Sequence, residues 1–345
     1  MKIHFFVPPS GQTIGGLDLA IQSLRSFLES RGIPVTTNPN LETLRQSDEK
    51  QVVHFHGLWQ FNFHRVSAHC RNERIPCMVS PHGMLEPWAW KHKWWKKWPY
   101  YQLWERPHLA RAGRVLATSE MEAANLTRLV SREQIAMIPL GLPAEVGPDY
   151  RVARQKLGWR DDELIFLFLS RIHRKKGLDL LLRALEGISP QLPDKWRLVI
   201  VGDGDDSYLA ECRRFLEDHR KLLPFVEWRG AVWGAEKWGY FQAADLYCLP
   251  SYSENFGLAI LEACQTGTRA LTSRYTPWTF LEEWKAGFLV EPTVESVQLG
   301  LEAFLAAREW SEFERHDLAN RTHERFNWSR VGPLYMDLYE QLAAQ

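Results

Sequence analysis

The sequence predicts an α/β chain of two domains, each built on a parallel sheet. Short apolar runs alternate with segments of helical apolar spacing along the whole chain, the pattern of strand–helix–strand units. At 345 residues the chain is longer than one core usually serves. Pro139, Gly141, Pro143, Gly147 and Pro148 crowd one short segment, which is the composition of a linker. The expected division is therefore a first domain over 1–148 and a second over 149–325, with a helical tail over 326–345.

In the first half, Ile3–Val7 reads as a strand that Pro8, Pro9 and Gly11 break. Gly15 and Gly16 precede a helix carrying Leu17, Ala20, Ile21, Leu24, Phe27 and Leu28 on one face, and Ile33–Thr37 is the next strand. The loop is not G-x-G-x-x-G, so a dinucleotide fingerprint is absent. The glycine pair serves either close helix–strand packing or the approach of a ligand. Val52–Trp59 and Met78–Met84 share one design, a strand running into a polar loop. His56 and His82 fall where those strands stop, which is where open α/β sheets bind ligands. The alternative for each is a hydrogen-bonded structural histidine. His54 and His56 are expected on opposite faces of their strand. No carboxylate or cysteine completes a zinc set with His82, so no metal site is expected.

The stretch Trp88–Trp104 (WAWKHKWWKKWPYYQLW) interleaves tryptophan with lysine and holds no acid. Trp90, Trp94 and Trp98 are expected to share a helix face flanked by Lys93 and Lys97, with Pro99 limiting the helix. Such a belt suits an anionic membrane surface. Packing of the tryptophans under the sheet, with solvated lysines, is the other reading. Val115–Thr118 is a further strand, Ser119 and Glu122 open a helix, and Ile135–Ile138 is the last strand of this half.

In the second half, Leu164–Leu169 is an unbroken apolar strand, expected to be buried on both faces. It runs into Ser170-Arg171-Ile172-His173-Arg174-Lys175-Lys176-Gly177, a cationic loop at a strand's C-terminal end. Such cations neutralise a diphosphate; a solvated basic loop is the plain alternative. Arg197–Val201 follows, with Gly202-Asp203-Gly204-Asp205 after it. Ala244–Leu249 is a buried strand that Pro250 stops. Ser251, Ser253, Glu254 and Asn255 form a loop, and Phe256-Gly257 opens a helix with Leu258, Leu261 and Glu262. Ser251 and Glu254 have capping-box spacing. A glycine at a helix start leaves N–H donors open to phosphate. Carboxylates there would repel phosphate unless they meet the hydroxyls of the same ligand, Glu262 a ribose and Glu254 a sugar. A cap and an exposed glutamate are the plainer reading.

Ser253-Glu254-Asn255-Phe256-Gly257-Leu258 through Glu262-Ala263 resembles the donor-binding motif of the retaining glycosyltransferases of family four. The resemblance extends over nearly the whole chain. It implies the GT-B fold, two Rossmann-like domains facing each other across a cleft, with residues 326–345 crossing back to the first domain. It implies that Arg171 and Lys176 bind the diphosphate, that Glu254 holds the sugar and that His82 lies against it. Gly15, Gly16, Gly202, Val232, Asn255, Phe256, Gly257, Leu258 and Glu262 fall on its nucleotide-sugar positions, and His56 and Trp59 are left to the acceptor side. Gln265-Thr266-Gly267-Thr268-Arg269 departs from the family, which carries a smaller residue and a proline there. SPHGML followed by the basic aromatic stretch is similar to enzymes of bacterial surface polysaccharides, which implies a glycan or lipid-linked acceptor and a UDP- or GDP-sugar donor.

Composition sets the remaining bounds. Formal net charge is zero, so the chain as a whole attracts neither nucleic acid nor membrane. Five cysteines without a C-x-x-C pair suit reduced, buried thiols in a cytoplasmic protein. The apolar run at the start is too short for a signal peptide, and no run can span a bilayer. With no G-x-x-x-x-G-K-[ST] loop, ATP hydrolysis by that route is not expected. No metal or other cofactor is expected. The rivals to a glycosyltransferase are a nucleotide-sugar epimerase of the same fold, a non-catalytic scaffold and a sugar-binding module.

Overall fold

The computed structural model describes residues 1–9, 16–45, 49–91, 94–142 and 146–344. Gly15 and Lys93 lie outside them. The chain forms two compact units, Met1–Pro143 with Phe326–Gln345, and Ala144–Arg325.

The first unit is built on a six-stranded sheet: β1 (Lys2–Phe6), β2 (Val35–Thr37), β3 (Gln51–His56), β4 (Cys77–Ser80), β5 (Arg114–Ala117) and β6 (Ile135–Met137). The order is β2-β1-β3-β4-β5-β6, and every pairing is parallel. The sheet is covered on both faces, as all-parallel sheets are. On one side Val53, Phe55, Val79 and Val115 pack with residues of the helices Phe61–Asn72 and Arg106–Arg111. On the other, Phe5, Val52 and Met78 pack with the first helix, Gly16–Ser30, and the last, Trp328–Ala343. Gly332 of the last helix lies so close to the Phe27 ring that a Cβ there would stand 2.1 Å from it.

Strand residues two apart share a face. His54 and His56 therefore lie on the same side of β3, with ring centroids 3.8 Å apart; the expectation of opposite faces is corrected. In the tryptophan stretch Pro87–Lys91 and Trp94–Tyr100 are helical, and Tyr101–Glu105 forms a π turn. Trp90 belongs to the first helix and packs on Trp59 and Tyr101, whereas Trp94 and Trp98 are exposed on the second. Pro99 lies inside the second helix and does not end it.

The second unit carries β7 (Leu164–Leu169), β8 (Trp196–Val201), β9 (Val226–Trp228), β10 (Leu246–Leu249), β11 (Arg269–Ser273) and β12 (Gly287–Val290). The order is β12-β11-β10-β7-β8-β9, again parallel throughout. This is the doubly wound order, with its reversal between β7 and β10. Loops leaving those two strands at their C-terminal ends border the crevice where such sheets take ligands. The cationic loop leaves β7 and the Glu254 loop leaves β10, so the topology alone makes them neighbours.

Candidate active site

Backbone contacts lock the cationic loop before any side chain is considered. Ile172 donates its N–H to Asp203 O at 2.9 Å and accepts from Asp205 N at 2.8 Å. Gly202 and Gly204 sit against the carbonyls of Ser170 and Ile172, where a Cβ would stand 1.9 and 2.2 Å from oxygen. On its other side the loop meets the segment after β10. Tyr252 N–H donates to Lys175 O at 2.8 Å, and Gly177 faces the carbonyl of Pro250. The Gly202 turn thus shapes the loop from behind, a role that needs glycine whatever ligand is bound.

Across this seam Lys176 Nζ donates to Glu254 Oε1 at 2.6 Å. Ser251 Oγ donates to the same oxygen at 2.7 Å, and Glu254 N–H donates to Tyr275 O at 3.1 Å. The capping box expected from Ser251 and Glu254 is not formed. Ser251 spends its hydroxyl on the carboxylate, and the helix starts later, at Leu258. Its N-cap is Gly257, at φ +69° with no side-chain cap. The first-turn N–H groups of Leu258–Gln265 therefore lack the side-chain acceptor that most helix starts use. Phe256 is buried edge-on against Trp278, ring centroids 4.6 Å apart, and anchors the loop. Asn255 and Leu258 flank it on the same turn.

The two carboxylates differ in charge environment. Burial pushes Glu254 up, but Lys176 and Lys175 beside it, with the hydrogen bonds from Lys176 and Ser251, bring it below the ordinary carboxylate value. Burial also pushes Glu262 up, and one cation, Lys237, offsets this only in part. Lys237 Nζ donates to Glu262 Oε1 at 2.7 Å. Sequence reading missed Lys237; nothing local to Lys237 marks it as the partner of a carboxylate on another helix. Arg171 is exposed at the head of the loop, and Val232 is half-buried after β9. The structure thus brings Arg171, Lys176, Gly202, Glu254, Gly257 and Glu262 to one end of one sheet.

In the first unit the residues gather around His82. It sits at φ +51°, followed by Gly83 at φ +75°, a conformation that costs a side-chain-bearing residue energy and so needs support. Glu122 supplies it. One carboxylate oxygen accepts from Gly83 N–H at 2.7 Å, and the other accepts from Thr118 N–H and Oγ1, each at 2.8 Å. His56 is buried, and its Nδ1 lies 3.2 Å from His82 Nε2. Expected on the acceptor side, His56 thus meets His82 from beneath the surface. Trp59 is half-buried at φ +68°, and its N–H donates to Glu105 Oε1 at 2.6 Å. Gly16 is exposed with open space around its Cα. Among the described residues no group of three or more His, Cys, Asp or Glu could hold a metal ion, and no helix is long and apolar enough to cross a membrane.

The family described as glycosyl transferases group 1 matches residues 149–325, and a glycosyl transferase 4-like domain matches residues 7–141. A D-inositol 3-phosphate glycosyltransferase 2 of Catenulispora acidiphila is 31% identical over 179 residues, 47% of this chain and 40% of that one. A D-inositol 3-phosphate glycosyltransferase of Stackebrandtia nassauensis is 33% identical over 177 residues, 48% of this chain and 39% of that one. The chain thus spans less than half the length of these curated relatives. Among solved structures, sucrose-phosphate synthase of Thermosynechococcus elongatus aligns over 100% of both chains with a TM-score of 0.78 at 21% identity. HepE of Anabaena, solved with UDP and glucose, aligns over 100% of both chains at 0.76 and 19%. The lipopolysaccharide outer core galactosyltransferase WaaB aligns over 98% of both at 0.69 and 16%. At these identities the likeness speaks for the fold.

Proposed function

Since the chain belongs to the glycosyl transferases group 1 family and has the GT-B fold, we propose that it moves a sugar from a nucleotide-sugar donor to a glycan acceptor with retention at the anomeric carbon. The observation that carries this is the Lys176–Glu254 contact beside the uncapped start of Leu258–Gln265, at the reversal point of the second sheet. The bond between the sugar's anomeric carbon and the diphosphate oxygen breaks, and its electron pair leaves with the diphosphate. Arg171, Lys176 and the N–H groups after Gly257 stabilise that charge as it develops. The acceptor oxygen forms the new bond on the same face, and its proton passes to the departing phosphate. Glu254 orients sugar hydroxyls, Glu262 holds the ribose, and His82 lies against the sugar. No step is routed through a metal, because the cationic loop supplies the positive charge.

The donor is read as a UDP- or GDP-sugar. The experiment is thermal shift against UDP-, GDP- and ADP-sugars. The cognate donor raises the melting temperature by linkage, and Arg171→Ala removes most of that rise. An undiminished rise in the variant sinks the pocket. Formation of a new glycoside, as opposed to conversion of donor without acceptor, separates this reading from an epimerase.

The acceptor is read as lipid-linked, approached from an anionic membrane surface. Trp94, Trp95, Trp98, Leu103 and Phe61 are all exposed on the first unit, and Lys96 lies over the Trp95 ring at 4.8 Å. Large aromatic faces bearing lysines suit a headgroup layer. Flotation with anionic vesicles tests it, and undiminished binding after Lys93, Lys96 and Lys97 are all changed to Glu refutes it.

A further inference from the structure

We propose that His56 is a positioning residue for His82, fixing which nitrogen of the His82 ring carries the proton. The inference rests on the reading of His82 as a ligand contact, but its geometry stands apart from it. His56 Nδ1 and His82 Nε2 are 3.2 Å apart, and the two rings are near-parallel, 13° between planes with centroids 5.4 Å apart. A hydrogen bond between two neutral imidazoles has one donor and one acceptor.

The choice of donor follows from the other nitrogen of His56. His56 Nε2 is buried and has no hydrogen-bond partner among the described residues, and the ring packs edge-on against Phe5, centroids 4.6 Å apart. A proton on that nitrogen would be an orphaned buried donor, which folded proteins tolerate less often than an unused acceptor. The proton of His56 is therefore on Nδ1, and Nδ1–H donates to His82 Nε2. His82 must then carry its own proton on Nδ1. The tautomer of one histidine is written by the hydrogen bond of the other.

Both rings stay neutral, since burial lowers each of them, His82 to about 4. His54 does not compete for this bond. Its Nδ1 meets Tyr339 Oη at 2.7 Å and its Nε2 meets Ser80 Oγ at 2.6 Å. The His82 backbone cannot turn away to relax the pair, because Glu122 holds Gly83 N–H. His82 thus offers a ligand one N–H donor, at Nδ1, already oriented before the ligand arrives. A sugar hydroxyl used as an acceptor matches that donor.

The test is a long-range proton–nitrogen spectrum of the full chain labelled with 15N-histidine, with His82 assigned by its loss in His82→Gln. The expected wild-type spectrum, recorded without ligand at pH 7, has His82 protonated at Nδ1 and bare at Nε2. His56→Leu is expected to release His82 into a mixture of tautomers. His56→Asn, whose amide can donate from the same place, restores the single form. A wild-type His82 protonated at Nε2 overturns the inference, as does a tautomer indifferent to His56→Leu; should that variant not fold, the wild-type spectrum still decides. Addition of UDP-glucose then examines the functional reading separately. An unmoved His82 signal with the Nδ1–H tautomer intact counts against the sugar contact and leaves the positioning claim standing.

Discussion

Glu105 shows how one residue can carry a cost that a loop then uses. Its side chain is buried, and its Oε1 accepts the N–H of Trp59, whose φ of +68° is unusual for a tryptophan. The nearest cation candidate, His64, is 3.7 Å away, but burial and Arg111 lower that ring to about 4, so it is neutral near pH 7. Burial pushes the Glu105 carboxyl up to about 7, with the Trp59 N–H pulling the other way. A carboxyl raised in the folded state favours folding while protonated. That contribution is complete below the unfolded value near 4.5 and is lost as pH rises through 7. Glu105→Gln keeps an acceptor for Trp59 and removes the charge. We expect the variant to gain up to about 3 kcal/mol over wild type at pH 8 and almost nothing at pH 4. Urea unfolding of both proteins at the two pH values measures the difference. An equal gain at both would mean that ionisation of Glu105 is not what strains the loop.

At the scale of elements, the site depends on how closely two loops approach, and Gly177 sets that distance. It sits at φ +72° between the short helical turn Arg174–Lys176 and the helix Leu178–Ile188, and a Cβ would stand 2.3 Å from Pro250 O. A backbone carbonyl cannot step aside as a side-chain tip can. Gly177→Ala is expected to cost about 2–4 kcal/mol, the left-handed strain plus overpacking, and to draw Lys176 away from Glu254. Gly158 is the control, at φ +70° with nothing near its Cβ; Gly158→Ala carries the strain alone, about 1–2 kcal/mol. Equal costs for the two, by urea unfolding, would show that the approach to Pro250 does not matter. The strands flanking this seam were legible in the sequence because apolar runs such as Leu164–Leu169 are local signals. So were the cationic loop and the Glu254 loop, each by itself. Their pairing was not: Lys176 and Glu254 are 78 residues apart, and only the strand order makes them neighbours. The same holds for Glu122 with Gly83 and for Lys237 with Glu262. The face of His54 and His56 was legible from the period of two and was read wrongly.

For the whole molecule, the placement of buried titratable groups predicts that the two units respond differently to acid. His4, His54, His56, His64, His82 and His108 all belong to the first unit, and burial is the leading cause that lowers each. His108 falls to about 3, with neither ring nitrogen hydrogen-bonded among the described residues. An unfolded histidine takes a proton near 6.5, while these resist it until much lower pH. Their contribution is therefore intact above about 6.5 and is lost progressively as pH falls toward 4. Each ring held at about 4 or below, as His64, His82 and His108 are, can cost about 2 kcal/mol by pH 5, and several together rival the roughly 5–15 kcal/mol that holds a typical domain. Among the described residues of the second unit no histidine is fully buried, and the half-buried His173 is the one that burial lowers. Lys176 is paired there with Glu254 and Arg154 with Asp245, and the buried Arg269 donates to the carbonyls of Ala307 and Arg308. Glu254, lowered by its cations, gives up its contribution only below the usual carboxylate range, so this unit is affected later in an acid titration. Hydrogen exchange read by mass spectrometry at pH 7.5 and pH 5, corrected for intrinsic rates, resolves the two. Peptides from Met1–Pro143 are expected to lose protection at pH 5 while those from the second unit keep it. Loss in the second unit first would mean that its ion pairs, not the histidines beneath β3, set the acid limit of the protein.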